Sequence, residues 1–461
     1  MNAIAQKVYQ TCLQTRTLNR NSHACDVASV LAAAIQAVDP YAAVQKNLER
    51  TQASLRIGQA TYDQKRVHLR KVVGAGKASP AMLQAALDVI GDQLEGGCVI
   101  AKHFDAENLQ TGLVPVLKGS HPIPDEQSVR ATRRLLSTLQ GSRPDDLILC
   151  LLSGGGSALM TAPLPGITLA DMQSITAKLL TCGATIQEIN TLRKHLDAAK
   201  GGRLAHLAYP ASMACLILSD VVGNPLDIIA SGPTVPDRST YADCWEIVTR
   251  YALERQIPAS IVAVLQAGVA GEIAETPKPG DPTLARTSNT LVGSNRQAAL
   301  AGLAQAQALG YHTLLLTTYL QGEARLAGQF IGAIARQVAE SGEPVARPAC
   351  IAIGGETTVS VHGAGRGGRN QELALGSVDH LAGIAGCLLV TFASDGEDGP
   401  TDAAGALVSG ETRQQARTQG LEPDGFLQEN DSYNFFQAMG DLLTPGPTGT
   451  NVNDLAFLWL F

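Results

Sequence analysis

The strongest constraint on the fold is a repeated alternation between short apolar segments and longer segments with helical periodicity. Two of the apolar segments, Leu147–Leu152 and Ala214–Ser219, contain no charged residue at all. Uninterrupted apolar runs of this length are typical of strands that are buried on both faces of a sheet. Because helical segments follow these strands, the sequence predicts an α/β fold with a mainly parallel sheet and helices on both faces.

The same order of strand and helix continues along most of the chain. The predicted strands are Val67–Val73, Val99–Ile100, Leu147–Leu152, Ala214–Ser219, His312–Thr317, Ala349–Ile353, Thr357–Val361 and Cys387–Phe392. The predicted helices are two within residues 24–50, separated by a turn at Asp39 and Pro40, and then Pro80–Leu94, Asp125–Leu139, Thr168–Thr181, Ile186–Leu196, Arg296–Leu309, Glu323–Glu340 and Asn370–Leu381.

Residues 268–290 are rich in Gly, Pro and Thr, which is typical of a linker between domains and equally of a long surface loop. We take this segment as a boundary. The sequence then predicts an N-terminal domain over residues 1–285 and a C-terminal domain over residues 286–461.

Composition and charge exclude several classes of protein. Hydrophobic residues make up 45% and charged residues 17% of the 461 positions, which is typical of a soluble globular protein. The net charge of −7 argues against nucleic acid or an anionic membrane as the main partner. The nine cysteines form no CxxC pair, and the chain has neither a leader pattern nor an apolar run of about 18 residues. We therefore expect a cytoplasmic protein that acts on small molecules, and self-association into a homo-oligomer is compatible with these features.

A glycine-rich loop follows the strand Leu147–Leu152. A hydrolase nucleophile elbow, GxSxG, would need a glycine two residues after the serine, and Leu159 occupies that place. The remaining interpretations are a tight turn and a cradle in which main-chain N–H groups bind phosphate, and the loop alone favours neither. Its residues are Ser153, Gly154, Gly155, Gly156 and Ser157.

A second loop, Gly74-Ala75-Gly76-Lys77, lies between a predicted strand and a predicted helix. It is not a Walker A loop, because Lys71 stands where that motif needs its first glycine. Lys77 nevertheless lies just before a helix begins, where anions bind readily, although a solvated surface lysine would have the same surroundings.

A third loop contains the pattern GxGxxG at Gly363, Gly365 and Gly368. The pattern alone is weak, since no acid stands about twenty residues further on to bind a ribose. Its distinguishing feature is the pair Arg366 and Arg369 just before a helix, where a guanidinium could bind an anionic group.

Polar residues after other strands complete the set of candidates. A loop with Asp395, Glu397, Asp398 and Asp402 fits either Mg²⁺ held by one or two carboxylates or a hydrogen-bonded turn. His121 is a candidate base, although a turn histidine beside Pro122 is the commoner case. Taken together, the substrate or metal candidates are Asp220, Asn224, Glu356, Asn370 and Asp395.

Six motifs resemble those of the class II glycerate 2-kinases. They read LSGGGSAL, EINTLRKHLDAAKGGRLA, SDVVGNPLDIIASGPTVPD, GGETTVSVHGAGRGGRNQELAL, ASDGEDGPTDAAGA and GPTGTNVNDL. The resemblance as a whole runs from about Asp26 to Leu455. The resemblance implies an N-terminal Rossmann-like domain, a smaller C-terminal α/β domain of the MOFRL type, and an active site in the cleft between them. Only the ending AFLWLF departs from the family pattern.

The resemblance also implies a reaction. The γ-phosphoryl group of ATP would be transferred to the 2-hydroxyl of D-glycerate, giving 2-phosphoglycerate and ADP, usually with Mg²⁺. The family's proposed catalytic lysine and arginine correspond to Lys77 and Arg369 here. Residues Ser153–Ser157, with Gly74 and Gly76, would bind phosphate, and the metal ligands stay unassigned.

Two alternatives remain at this point. A hydroxypyruvate reductase that uses NAD(P)H would need a nicotinamide site, and no such set of residues stands out in the sequence. A metabolite-binding protein without catalysis would bind the same ligands but turn none over. Conversion of NADH with hydroxypyruvate, or of ATP with D-glycerate, distinguishes the three.

Overall fold

The first 39 residues fold with the last part of the chain rather than with the segment that follows them. The computed structural model describes residues 1–104 and 111–461. Residues 1–39 and 293–461 form one compact unit, which we call the discontinuous unit, and residues 40–292 form the central unit. The sequence predicts one division, between residues 285 and 286. The structure places a boundary close to it and a second one after Asp39.

The N-terminal segment of the discontinuous unit is helical. Helix α3 presents an apolar face that packs on a helix of the C-terminal segment, and the Tyr311 hydroxyl donates to Asp26 at 2.7 Å. Thr17 donates through its main-chain N–H and its hydroxyl to the buried carboxylate of Asp441. The three helices are α1 (Ala3–Gln14), α2 (Arg16–Asn19) and α3 (Ala24–Ala37).

The central unit contains the predicted parallel sheet. Its strand order is β6-β5-β4-β7-β8-β9, and the neighbouring pairs from β6 to β8 are parallel. A small antiparallel sheet, β1-β2-β3, was not predicted. The strands are β1 (Leu48–Arg50), β2 (Ser54–Ile57), β3 (Ala60–Asp63), β4 (His68–Ala75), β5 (Gly96–Ala101), β6 (Val116–Lys118), β7 (Asp146–Leu152), β8 (Ser212–Leu218) and β9 (Thr287–Gly293).

Helices cover both faces of this sheet. Every residue of β7 and β8 is buried, which explains their continuous apolar sequence. Several helices begin with capping boxes, for example at Thr168 and Thr185, whose hydroxyls accept from main-chain N–H groups of the first turn. The helices are α4 (Pro40–Asn47), α5 (Ser79–Ile90), α6 (Glu126–Leu139), α7 (Gly156–Leu159), α8 (Leu169–Thr181), α9 (Ile186–Leu196), α10 (Arg203–Ala208), α11 (Tyr241–Arg250) and α12 (Ala259–Val269).

The C-terminal segment of the discontinuous unit forms a mixed sheet, ordered β10-β11-β15-β12-β13-β14. Strand β10 is parallel to β11, whereas β15 is antiparallel to both β11 and β12, between which it lies. The elements are α13 (Asn295–Ala308), β10 (His312–Leu320), α14 (Ala324–Ser341), β11 (Ala349–Gly355), α15 (Arg369–Leu381), β12 (Cys387–Ala393), β13 (Gly405–Ser409), α16 (Thr412–Thr418), α17 (Pro423–Gln428), α18 (Ser432–Met439), β14 (Leu442–Leu443) and β15 (Asp454–Leu460).

Two features of this sheet differ from expectation. The chain ending, to which the sequence gives no role, is the central strand β15, and its Trp459 is completely buried. The predicted strand Thr357–Val361 is wrong. The position beside β11 is taken by β15, so residues 357–361 leave the sheet, and the side chain of Val361 is 72% exposed. Glu323 holds this segment by accepting from the main chain and hydroxyl of Ser360.

The predicted fold class is confirmed, with two α/β units, a mainly parallel sheet and a smaller mixed one. All nine cysteines are free thiols. Among the described helices none alone is long and apolar enough to cross a membrane, and only α3 and α4 taken together pass such a test by length and composition.

Candidate functional site

Three loops of the central unit meet at one edge of its sheet. Strands β4, β7 and β8 are parallel neighbours, so their carboxyl ends lie side by side, which is where ligands bind in sheets of this kind. The main-chain N–H of Lys77 donates to the carbonyl of Gly154 at 2.9 Å, and that of Ser153 donates to Ala75 at 3.1 Å. The structure therefore brings together the two glycine loops that the sequence singles out.

Close approach between these loops explains two of the glycines. Gly76 has φ of +146°, and a Cβ there would lie 2.6 Å from the carbonyl oxygen of Ser153. A Cβ on Gly154 would lie 2.7 Å from Cγ of Asp220. Both are far inside normal contact, so side chains at these positions would push the loops apart. Because Gly76 and Gly154 have no Cβ, Ser153 can lie directly against Gly76 and Asp220 directly against Gly154.

The loop after β7 also carries hydrogen-bond donors that have no acceptor in the described part of the chain. The main-chain N–H groups of Gly154, Gly155 and Ser157 have no acceptor among the residues that the structure describes, whereas that of Gly156 donates to Ser153 at 3.2 Å. The buried hydroxyl of Ser153 is occupied, since it accepts from the main chain of Ala78 at 3.0 Å. Three neighbouring free donors fit an oxyanion, because successive N–H groups can converge on one anionic oxygen cluster.

Lys77 contributes a positive charge beside these donors. Its side chain is exposed, and within the described residues no ion pair involves it. His121 lies against the same loop, with Cδ2 3.0 Å from the place where a Cβ of Gly155 would be. Burial, and then the charges of Lys77 and Lys102, lower the pKa of His121 to about 4. The imidazole is therefore neutral at physiological pH, while Lys77 carries the local charge.

Ser157 belongs to a chain of hydroxyl and amide groups rather than to a catalytic dyad. Its Oγ lies 2.7 Å from Oγ of Ser231, which in turn donates to Oδ1 of Asn190 at 3.2 Å. Asn224 has φ of +55° and closes a turn by donating to Val221. Neither Ser231 nor Asn190 is among the predicted site residues, because they come from segments far apart in sequence that only folding brings to the loop.

In the discontinuous unit, a second group of predicted residues meets around Arg369. Its guanidinium donates to both carboxylate oxygens of Asp454, at 2.5 and 3.1 Å, and to Glu356 at 3.0 Å. Burial by itself lowers the pKa of Arg369, but the charges of Asp454 and Glu356 outweigh it and raise the pKa. Burial raises the pKa of Asp454, and Arg369 opposes that effect. Arg369 is thus a permanent cation held by two carboxylates.

Asp454 is not among the predicted site residues, although its loop resembles a family motif. It is the first residue of β15 and pairs with Gly355 at the end of β11 and with Ala393 at the end of β12. Because β15 runs antiparallel to both, its beginning lies at the edge where they end. The sequence does not show that β15 is antiparallel to its neighbours, so it could not place Asp454 at this edge.

The acidic residues of the loop after β12 have different surroundings. Asp398 is 2% exposed and accepts from the main chains of Asn370 at 3.1 Å and Gln371 at 2.9 Å, so it caps helix α15. Burial, and then the charge of Asp454, raise the pKa of Asp398 to about 6. Asp395 is half-buried, and its charge helps to raise the pKa of Asp454. Glu397 and Asp402 are exposed.

These two groups of residues define a class of protein. Each unit presents glycine-rich or charged loops at the carboxyl ends of parallel strands, and the central unit combines a lysine with free main-chain donors. Such an arrangement is typical of proteins that bind small anionic ligands.

Comparisons with known proteins identify the family. A family model described as a domain of unknown function, DUF4147, matches residues 26–266, and one described as the MOFRL family matches residues 349–454. The chain is 42% identical over 384 residues to the D-glycerate 2-kinase of Thermotoga maritima, covering 83% of this chain and 89% of that protein. The crystal structure of a glycerate kinase from Thermotoga maritima matches with a TM-score of 0.82 at 38% identity, covering 94% of this chain and 98% of that chain.

Another relative carries a different name. A protein of Agrobacterium vitis named putative hydroxypyruvate reductase is 43% identical over 387 residues, covering 83% of this chain and 85% of its own length. From the family models and the kinase relatives together, the chain belongs to the glycerate 2-kinase family, with a DUF4147 domain followed by a MOFRL domain.

Proposed function

We propose that the protein is an ATP-dependent D-glycerate 2-kinase, which transfers the γ-phosphoryl group of ATP to the 2-hydroxyl of D-glycerate. The products are 2-phosphoglycerate and ADP. One observation carries the proposal most directly: Lys77 lies beside three main-chain N–H groups without acceptors in the described part of the chain, at the ends of parallel strands. The kinase names of the relatives support the same reaction.

Phosphoryl transfer depends mainly on positioning and on neutralising negative charge, and little covalent chemistry is required of the protein. In our proposal the N–H groups of Gly154, Gly155 and Ser157 bind phosphate oxygens, with Gly74 and Gly76 keeping the neighbouring loop close. Lys77 neutralises charge on the phosphoryl group. Arg369 is the second catalytic cation, fixed in position by Asp454 and Glu356.

We propose Mg²⁺ as the metal ion that accompanies ATP. Within the described part of the chain no three His, Cys, Asp or Glu side chains form a complete metal site. Mg²⁺ usually binds through one or two carboxylates together with substrate phosphates, so a complete protein site is not needed. The half-buried carboxylates of Asp395, Glu356 and Asp220 are hard oxygen donors of the required kind. When bound, Mg²⁺ would neutralise phosphate charge. The side chain of Asn370 donates to Asp398 at 3.3 Å, so it would help to orient the acidic loop that carries Asp395.

The test is to incubate the purified protein with Mg-ATP and D-glycerate and to identify the product with enolase-coupled detection. Enolase acts on 2-phosphoglycerate, so immediate coupling is expected. Formation of the 3-phosphate alone, or no ADP at all, would contradict the proposed reaction.

A reductase is the second candidate, favoured by the name of the Agrobacterium vitis relative. In an NAD-binding fold the strand after the glycine loop ends near an acid that binds the ribose. Strand β5 ends at Ala101, and the residues directly after it are Lys102 and His103, neither of which is an acid. Oxidation of NADH with hydroxypyruvate in the same preparation would favour the reductase over the kinase.

The nine free thiols agree with a protein that works in a reducing compartment. We propose that the enzyme acts in the cytoplasm on freely diffusing small molecules.

A further inference from the structure

Helix α9 carries three consecutive basic side chains, and two of them are paired. Nζ of Lys194 lies 3.3 Å from Oδ1 of Asp237, and Nε2 of His195 lies 3.0 Å from Oε2 of Glu275. Both basic side chains are almost completely buried. The third, Arg193, is half-buried, and its guanidinium makes neither a hydrogen bond nor an ion pair with any residue in the described ranges. An arginine in this condition is unusual, because burial of an unpaired charge costs free energy.

The side of the helix on which Arg193 lies faces the protein interior. Asn190, one turn earlier, and Asp197, one turn later, are both buried, at 4% and 0% exposure. Asp197 already accepts from Nζ of Lys200 at 2.7 Å and from the main chains of Ala162 and Ala199. Its oxygens are therefore occupied, so it contributes charge near Arg193 but no hydrogen bond.

The same side of α9 leads to the glycine loop. Asn190 accepts from Ser231, whose hydroxyl lies 2.7 Å from that of Ser157. The ion pair of Lys194 with Asp237 holds the helix in place. Arg193 is consequently a partly solvent-accessible guanidinium on an anchored helix, one helical turn from Asn190, whose partner Ser231 contacts the proposed phosphate loop.

We propose that Arg193 binds the carboxylate of the sugar-acid substrate. This inference rests on the proposed kinase function, and it assigns a residue to the end of the substrate that does not react. The planar guanidinium matches a carboxylate through two parallel hydrogen bonds. Lys77 and the free N–H groups of the glycine loop already supply what phosphate needs, so Arg193 is available for the second anionic group.

The test compares D-glycerate with its uncharged amide, D-glyceramide, as substrates of wild type, Arg193→Gln and Arg193→Lys. Loss of a hydrogen-bonded charge pair is expected to lower kcat/KM for D-glycerate about 10- to 100-fold. The value for D-glyceramide and the KM for ATP should change little, and Arg193→Lys should recover part of the loss. Arg255→Gln is the matched control, because Arg255 is an exposed arginine of the same unit.

The preference for acid over amide is a ratio measured within one variant, so a general loss of folded protein cancels from it. Equal losses with both substrates, or a selective rise in KM for ATP, would overturn the assignment of Arg193. If a variant is folded but inactive, calorimetric titration with D-glycerate alone measures its affinity for the substrate. Unchanged affinity for D-glycerate in Arg193→Gln would also overturn the assignment of Arg193. Absence of ADP formation by the wild type would instead count against the proposed function.

Discussion

Gly154 offers a direct test of how tightly the loops of the central unit approach one another. Its φ is not positive, so alanine fits the backbone at this position without strain. The new Cβ, however, would lie 2.7 Å from Cγ of Asp220, whereas ordinary contact begins near 3.4 Å, so this carboxylate must move by about 0.7 Å or more.

The free-energy cost of Gly154→Ala comes from displacing the side chain of Asp220. Holding a side chain about 30° from its preferred rotamer costs about 1 kcal/mol. In an Asp220→Ala background the carboxylate is gone and only Cβ of residue 220 stays close, 3.2 Å from the new Cβ, so Gly→Ala should then stabilise by up to about 0.5 kcal/mol through the unfolded chain. The gain through the unfolded chain is the same in both backgrounds, so the two substitutions are coupled by the strain alone, about 1 kcal/mol.

Thermal unfolding of wild type, both single variants and the double variant measures this coupling. The net loss in the wild-type background is about 0.5 kcal/mol, so we expect Gly154→Ala to lower Tm there by about 1–2 °C and not to lower it in Asp220→Ala. In the kinase assay the double variant should be no less active than Asp220→Ala, since both changes remove the same carboxylate from its place. Equal shifts in Tm in the two backgrounds would refute this geometry.

Three further predictions concern charge. Lys77→Ala should lower kcat about 100-fold with unchanged Tm, because the side chain is exposed and makes no ion pair with any described residue, while Lys65→Ala on the same unit should retain full kcat. Arg369→Lys keeps the charge but loses the two-point contact with Asp454, so we expect about a tenfold lower kcat in the coupled assay, and wild-type kcat would exclude a role for that contact. The pKa of Asp398 is raised to about 6, so its carboxyl favours the folded state most below its ordinary pKa of about 4, and this stability is lost as pH rises through 6. Urea unfolding between pH 4 and 7 should therefore show a shallower fall in stability for Asp398→Asn than for wild type, and identical slopes would refute the buried carboxyl as its source.

Much of the central unit follows from local sequence. Buried strands such as β7 and β8 are recognisable because each is almost entirely apolar, and capping residues such as Thr168 and Thr185 mark where helices begin. Parallel strand order then indicates that Lys77 and the glycine loop lie at one edge, since the carboxyl ends of parallel strands meet there. Their proximity could therefore be expected from the sequence pattern alone.

Other features depend on contacts between distant parts of the chain. The sequence alone cannot show that β15 enters between β11 and β12 in the opposite direction, and this insertion brings Asp454 to Arg369 and excludes residues 357–361 from the sheet. The acidic loop gives no sign that Asp398 caps α15, because a cap supplied from another segment leaves no local pattern.

Contacts between distant parts of the chain also decide the different surroundings of Arg193 and its two basic neighbours. Three neighbouring basic residues on α9 are alike in sequence, and within the described ranges only the tertiary structure gives carboxylate partners to two of them and none to the third. Local sequence thus determined which segments form strands, helices and anion-binding loops, because these depend on periodicity and on hydrogen bonds within a few residues. The pairing of charges across the fold was decided by tertiary structure, because it depends on which distant side chains share the same buried space.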